Sequence, residues 1–431
     1  MRKNVFVFVG LAFIAFSCNT QSDFAPDEVS YYPDNFVTEK AIKSLLSEAF
    51  EEPVTRRDGK STFARISSSK EIMVSDGLPA FYIMNFEGGG FIILSADNRL
   101  NPILAFSDVN SFPTSGFEDF NGGLLNWMES TKSLVQYLRS SDEVQENEVA
   151  VQWQPEIIAQ LLTPSHSHDD IGSMVETRSY VEQPNVCTCG WVTPVSPLMD
   201  GVKFRQSNPW NECAPLVPYN GTMVRAAVGC GALAMGQIAR FWEHPETYTH
   251  NSNTSFENYG TTYTLDYANL YNTANGMPRV FRICGDLLFN SWGATGTSNN
   301  FEDITPSLHI FGFYSSYKDY NISDTRSSLD QGRPVILCGG RKETTWLIPQ
   351  LKDGHGWVTD GYRKYVICSQ HGSVSHYYLN MLWGQEHPTT HMTGYCDGWY
   401  DERTWNPQYT VAAGYIYDYH RKMNYNIYPS Y

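Results

Sequence analysis

Val228-Gly229-Cys230-Gly231-Ala232-Leu233-Ala234-Met235-Gly236-Gln237-Ile238-Ala239-Arg240-Phe241-Trp242 is the stretch on which the reading of the whole chain turns. From Ala232 to Trp242 it is apolar or small almost all the way round, broken only by Gln237 and Arg240. That pattern predicts a helix buried inside a domain, not one lying on its surface. Glu243-His244-Pro245 follows, and the proline ends the helix. Cys230 falls at the N-terminal end, where unpaired backbone N–H groups and the helix dipole favour an anion, so its thiol is expected to ionise more readily than a free one. Two readings are open at this point: a nucleophile, or an inert cysteine of the kind that fills cores.

A cysteine nucleophile needs a base, and histidine is the side chain whose pKa suits that task near neutrality. The chain has 11 histidines, most of them in polar loops or beside proline. His355 differs, because Gly354-His355-Gly356 combines minimal bulk with a position immediately before the strand-like run Trp357 to Tyr362. Its alternative is a strand-edge histidine without a catalytic part. Asn380, at the end of the strand-like run His376 to Met381, is the candidate to orient the imidazole, and Trp383 the candidate to roof it against water. Gln206, shortly before the cysteine, is the candidate second donor of an oxyanion hole beside the Cys230 N–H.

The 431 residues allow two to three domains and a large core. Thirty basic against 46 acidic residues give a net charge of −16, which argues against nucleic acid or an anionic membrane as a partner. Met1-Arg2-Lys3-Asn4 followed by the apolar run Val5 to Phe16 reads as an export signal, too short for a stable membrane anchor. Ala15-Phe16-Ser17-Cys18 resembles a bacterial lipobox, so Cys18 is expected to be lipidated at the surface or in the periplasm, with ordinary signal cleavage as the alternative. The other cysteines are scattered, without the paired CxxC spacing that holds zinc, and neither metal nor organic cofactor is expected.

Behind the signal lies a polar tether, then a helix over Val37 to Phe50 with Ala41, Leu45, Leu46 and Phe50 on its apolar stripe. Ala80 to Phe86 and Gly90 to Ala96 read as a hairpin, Pro102 to Ser107 as a third strand, and Leu124 to Leu138 and Trp153 to Leu162 as helices. Residues 19–162 therefore form a small α+β domain. Residues 163–185, rich in serine, histidine and aspartate, read as a solvated linker open to proteases; His166, His168, Asp169 and Asp170 within it are less readily a metal cluster. Residues 186–431 form the second domain, with helices first, around Cys230 and Pro278 to Phe289, and strands later: Pro334 to Leu337, Trp357 to Tyr362, Lys364 to Ile367 and His376 to Met381.

Taken together these blocks resemble the streptopain-like cysteine peptidases, bacterial clan relatives of papain. Phe204 to Asn211 is similar to the family's W-x-Q-x-x-P-[YW]-N segment, with Phe204 for the tryptophan; Gly229 to Ile238 to its G-C-V-A-T-A-M-A-Q-I helix; Gly354 to Tyr362 to G-H-A-F-V-x-D-G-Y; and Asn380 to Gly384 with Asp397-Gly398-Trp399-Tyr400 to N-W-G-W-G-G and D-G-[YF]-F. Met381, Leu382 and Gln385 depart from that last block. Gly90 to Asp97 and Pro102 to Ser107 resemble the family's propeptide. The resemblance implies a papain-like α+β fold of two lobes, preceded by an α+β prodomain that inhibits its own chain until the linker is cut. It also implies acyl transfer on peptide substrates by Cys230, His355, Gln206, Asn380 and Trp383, with Gly354, Ser298 and Gly339 lining the substrate cleft. The alternatives are another Cys/His/Asn acyl-transfer enzyme, such as a cell-wall amidase or a transglutaminase-like protein, and a non-catalytic binding homologue.

Overall fold

Thr38 starts the first helix, its hydroxyl accepting the Ala41 N–H at 3.2 Å, and α1 runs over Glu39–Ala49. Its buried stripe is Ile42 and Leu46, one residue round from the expected Ala41-centred face; Ala41 itself is exposed. The computed structural model describes residues 33–50, 54–55, 61–63, 65–117, 122–162, 190–191, 195–250, 260–345, 348–369, 372–385, 395–405 and 419–430. The expectations placed on residues 1–18 and on the linker 163–185 lie outside these residues.

Four antiparallel strands follow α1 in chain order: β1 Ile66–Met73, β2 Pro79–Phe86, β3 Phe91–Ser95 and β4 Ile103–Ser107. Every residue of β2, β3 and β4 is buried, so both faces of this sheet are covered. Alternation sorts the side chains. Phe81, Ile83, Phe91 and Ile93 join Leu124, Trp127 and Val135 of α2 (Gly122–Ser140). Tyr82, Met84, Ile92 and Leu94 join Ile42 and Leu46 of α1 and Ile158 and Leu161 of α4 (Pro155–Leu162), which follows the short α3 (Asn147–Gln152). The strand β1 gave no clear pattern in the sequence because it is an exposed edge rich in serine and charge.

In the second half, after the short strand Gly190–Trp191 and a small hairpin of Leu216–Tyr219 with Thr222–Arg225, comes α5 (Cys230–Trp242), as expected a buried helix, packed on α6 (Met277–Leu287) and α7 (Ile304–Ile310). Strands then dominate: β5 Phe313–Asp319, β6 Val335–Thr345, β7 Ile348–Ser369, β8 Gly372–Leu382, β9 Gly398–Asp401 and β10 Tyr419–Pro429, with α8 (Ile322–Asp330) between β5 and β6. The fold is thus the α+β arrangement expected, helical lobe against antiparallel sheet. Two details differ. The runs Trp357 to Tyr362 and Lys364 to Ile367 are one strand, because Arg363 stays in register with Tyr378 and its guanidinium is stacked on rings instead of breaking the pattern. His355 consequently lies inside β7 and not in a hinge before it.

The two halves share one eleven-stranded sheet, ordered β5-β10-β6-β7-β8-β9-β4-β3-β2-β1 with the two-residue strand Gly190–Trp191 beside β7. The seam is β9 against β4, Trp399 opposite Phe106 and Tyr400 opposite Ala105. Arg363 crosses it, stacked on Trp399 at 4.3 Å and Phe106 at 5.2 Å from the ring centroids. Across the same seam Trp127 of α2 packs on Tyr400, donating its indole N–H to Thr404 at 3.0 Å. This joint places α2 against the candidate active site.

Candidate active site

Gly229 caps α5 at φ 90°, a backbone region where a side chain is strained, and a Cβ there would meet Thr297 Cγ2 at 3.0 Å. The segment before the cysteine is held by three polar groups. Val228 N–H donates to the Gln206 carbonyl at 2.9 Å, Asn290 Nδ2 donates to the Val228 carbonyl at 3.0 Å, and the Thr297 hydroxyl donates to the Ala227 carbonyl at 2.6 Å. So Gln206 and the loop ending at Ser298 flank Cys230; Ser298 is exposed and pairs with Ser291. Backbone N–H groups of Gly356, Gly231 and Cys230 itself favour the thiolate, but burial outweighs them and pushes the thiol up. The easier ionisation expected from the helix terminus is therefore absent in this state.

His355 stands opposite Gly339 in the β6–β7 ladder, and Gly356 opposite Cys338. The ring is buried, stacked on Trp357 at 6.1 Å and 13°, and Nε2 donates to the Trp383 carbonyl at 3.1 Å. Gly123, near the start of α2, sits against it so closely that a Cβ there would lie 2.9 Å from His355 Cγ and nearer still to Cδ2. Desolvation lowers the imidazole to about 4, so it is neutral at pH 7. No hydrogen bond joins His355 to Cys230 among the described residues. Gly354 is exposed beside the ring, and Gly339 is buried across from it.

Asn380 is not on the imidazole. Its Nδ2 donates to Asp360 Oδ1 at 2.7 Å, while Asp360 Oδ2 accepts the Met199 N–H at 3.0 Å. Trp383 is brought to His355, but by its carbonyl; its ring packs on Trp357 at 4.8 Å between centroids. Behind Trp383 lies Asp397, whose Oδ1 accepts the Trp383 N–H at 2.8 Å and whose Oδ2 pairs with Lys203 Nζ at 3.2 Å. Burial pushes both carboxyls up, against the pull of Lys203. Gln206, Cys230, His355, Trp383, Gly354, Gly339 and Ser298 thus fall in one region, and Asn380 sits behind it on Asp360. Sequence reading gave no part to Gly123, Lys203, Asp360 or Asp397. The two aspartates stood inside the quoted Trp357-Val358-Thr359-Asp360-Gly361 and Asp397-Gly398-Trp399 stretches, whereas Gly123 carried no signal at all.

Among the described residues no group of three or more His, Cys, Asp and Glu side chains has the geometry to hold a metal ion. What the geometry offers is a thiol at a helix start beside a histidine-bearing strand, with both groups held neutral by burial. Residues 204–400 match the Peptidase C10 family, and residues 34–135 match the Spi protease inhibitor family. The chain is 23% identical over 373 residues to streptopain of Streptococcus pyogenes, covering 77% of this chain and 76% of that protein, and 26% identical over 373 residues to streptopain of serotype M1. Among solved structures it is similar to a mutant fragment of Prevotella intermedia prointerpain A (TM-score 0.49, 16% identity, 84% of this chain and 98% of the other). Active wild-type interpain A of the same organism matches at a TM-score of 0.37 with 20% identity, over 55% of this chain and 95% of the other.

Proposed function

The chain is a cysteine peptidase of the Peptidase C10 family with a Spi-type inhibitor domain ahead of it, and on that premise we propose that it is an exported zymogen whose nucleophile is Cys230 and whose base is His355. The observation that carries this reading is the placing of two buried neutral groups one residue apart, the Cys230 thiol on the Gly356 N–H and the His355 imidazole pinned between Gly123 of α2 and the Trp383 carbonyl, the thiol pushed up and the imidazole lowered to about 4. A thiolate–imidazolium pair needs both charges, and desolvation penalises each of them. Because the Gly356 N–H already reaches Cys230, the backbone of His355 is one residue from the thiol. Turning the imidazole onto Cys230 then needs rotation of one side chain once α2 leaves.

In the active form the Cys230 thiolate attacks a peptide carbonyl carbon, and the carbonyl electron pair moves onto oxygen, held by the Cys230 N–H and the Gln206 side-chain amide. The C–N bond breaks as His355 gives its proton to the departing amine, leaving a thioester. His355 then takes a proton from water, whose oxygen displaces the thiol and releases the acid. Ser298, Gly354 and Gly339 line the cleft, and Trp383 screens the imidazole. Cleavage within residues 163–185 separates inhibitor from peptidase, and Met1 to Cys18 direct export, with Cys18 as the lipidated residue.

Exchange of Cys230 for alanine is the test: the variant should stay full length and hydrolyse no peptide while unfolding like the wild type. Self-cleavage or peptide hydrolysis by that variant overturns the assignment. Mass-mapping the new N-terminus of the processed wild-type chain checks the cleavage region.

A further inference from the structure

Two buried carboxyls lie in this region, Asp360 and Asp397, and the contacts of Asp397 form a continuous line. Lys203 Nζ lies 3.2 Å from Oδ2; Oδ1 accepts the Trp383 N–H at 2.8 Å; the Trp383 carbonyl accepts from His355 Nε2 at 3.1 Å. On the far side, the Asp397 carbonyl accepts from Asn110 Nδ2 of the inhibitor half at 2.6 Å, and the next residue, Gly398, is so close to the Phe106 carbonyl that a Cβ would meet it at 2.5 Å. Gly384, after Trp383, has φ 65° and packs against Leu233 of α5, where a Cβ would lie 2.5 Å from Leu233 Cδ2. The Trp383–Gly384 main chain is thereby fixed between the cysteine helix and one carboxylate. A buried carboxylate with a single lysine partner is costly to keep unless it is put to use, and the acyl-transfer steps leave it unused.

We propose that Asp397, held by Lys203, is a positioning residue for His355: it fixes the Trp383 main chain on which the imidazole rests, and it links that main chain to whether the inhibitor half is docked. Asp397 touches neither substrate nor reacting atoms. It acts through Trp383, and its negative charge, about one residue from the ring, favours the imidazolium that the active form needs. Among the described residues the other titratable groups that face it are Asp360, Cys396 and Tyr400, and Lys203 supplies the compensating charge. Removal of the carboxylate leaves Lys203 uncompensated and disfavours imidazolium, whereas removal of the lysine leaves the carboxylate and favours it. The two changes therefore have opposite signs at one residue.

This inference rests on the Cys230–His355 reading, and its test separates the two. The full chain is produced as wild type, Asp397→Asn, Lys203→Met, Lys203→Arg and Cys230→Ala, and allowed to self-process or, where slow, is nicked with trypsin. Active sites are titrated with a thiol-directed peptidyl inhibitor, and kcat and KM are measured per titrated site from pH 5 to 10. Asp397→Asn should lower kcat about tenfold with KM within about twofold, and move the alkaline limb of kcat/KM down by about half a pH unit. Lys203→Met should move the same limb up, and Lys203→Arg should leave it in place. An alkaline limb unchanged in both Asp397→Asn and Lys203→Met, or shifted in the same direction in both, overturns the proposal; Lys203→Met alone decides by the sign of its shift if Asp397→Asn fails to fold. Hydrolysis by Cys230→Ala would instead overturn the catalytic assignment beneath it.

Discussion

Replacing Gly123 with alanine tests whether α2 holds the histidine off the cysteine. The added Cβ would stand 2.9 Å from His355 Cγ and 3.2 Å from its Cβ, with Cδ2 closer still. The ring has no room to yield: Trp357 stacks on it and the Trp383 carbonyl holds Nε2. Overpacking of this kind costs about 1–3 kcal/mol. Alanine also favours the helix by up to about 1 kcal/mol over glycine, but that gain is present whether or not the inhibitor half is docked, so it cancels from the docking equilibrium. A loss of about 1–3 kcal/mol in docking corresponds to roughly 5–150-fold more of the undocked chain. Gly123→Ala should therefore convert to the processed form faster than wild type by a factor in that range, at dilutions where the rate no longer depends on protein concentration. Glu129→Ala, on an exposed position of the same helix, is the control and should process at the wild-type rate. The reasoning fails if Gly123→Ala processes no faster than wild type, or if Glu129→Ala accelerates equally.

Three further outcomes follow from the same contacts. His376 is buried, bonded through Nε2 to Gln152 of the inhibitor half at 3.3 Å, and lowered from 6.5 to about 3 by burial; between those values the unfolded chain takes up a proton that the folded zymogen refuses, so stability present above pH 6.5 is lost as pH falls. Asp401, raised to about 6, works in the opposite direction, as do Asp360 and Asp397, so the test is a difference: thermal melts of Cys230→Ala with and without His376→Gln should diverge by roughly 1.4 kcal/mol per pH unit below 6.5, and parallel curves would refute it. Arg363→Ala removes the cation stacked between Phe106 and Trp399 and should weaken docking by about 1–2 kcal/mol, read as faster processing with kcat of the processed enzyme unchanged. Gly384→Ala forces a side chain onto a residue at φ 65° and into Leu233; a melting temperature and activity both equal to wild type would contradict the close approach described.

The legible parts of the chain were those whose cause is local. The α5 helix could be read because its apolar residues run all the way round, which only a covered helix tolerates, and Pro245 marks its end. The hairpin of β2 and β3 showed through its apolar runs and the glycines between them. His355 was distinguishable from the other histidines by its two glycine neighbours. Non-local causes left no such trace: β1 is a polar edge, and the position of Asn380 in the sequence points to the imidazole, whereas its amide is taken by Asp360, a partner twenty residues upstream whose need for hydrogen bonds follows from burial alone. Gly123 illustrates the limit best, since nothing in Asn121-Gly122-Gly123 announces a histidine that arrives more than two hundred residues later.

The apolar runs of the first half carry information about the sheet edge as well. Strands of a small α+β domain with one exposed face should alternate apolar and polar residues, yet Phe81 to Phe86, Phe91 to Leu94 and Ile103 to Phe106 barely alternate. Such runs require cover on both faces, and a domain of this size with four helices has little to spare for a second free edge besides β1. The structure resolves this by continuing the sheet: β4 pairs with β9, and Trp127 of α2 reaches across the seam to Tyr400 and Thr404. Inhibition then follows from the same requirement. A sheet that completes itself on β9 carries α2 over β7, two strands further into the sheet, and the residue of β7 that meets Gly123 is His355. Loss of the β4–β9 pairing should therefore free the histidine even when α2 itself remains folded, so that substitutions at Ala105 or Phe106 that disturb the seam speed processing without touching the active site.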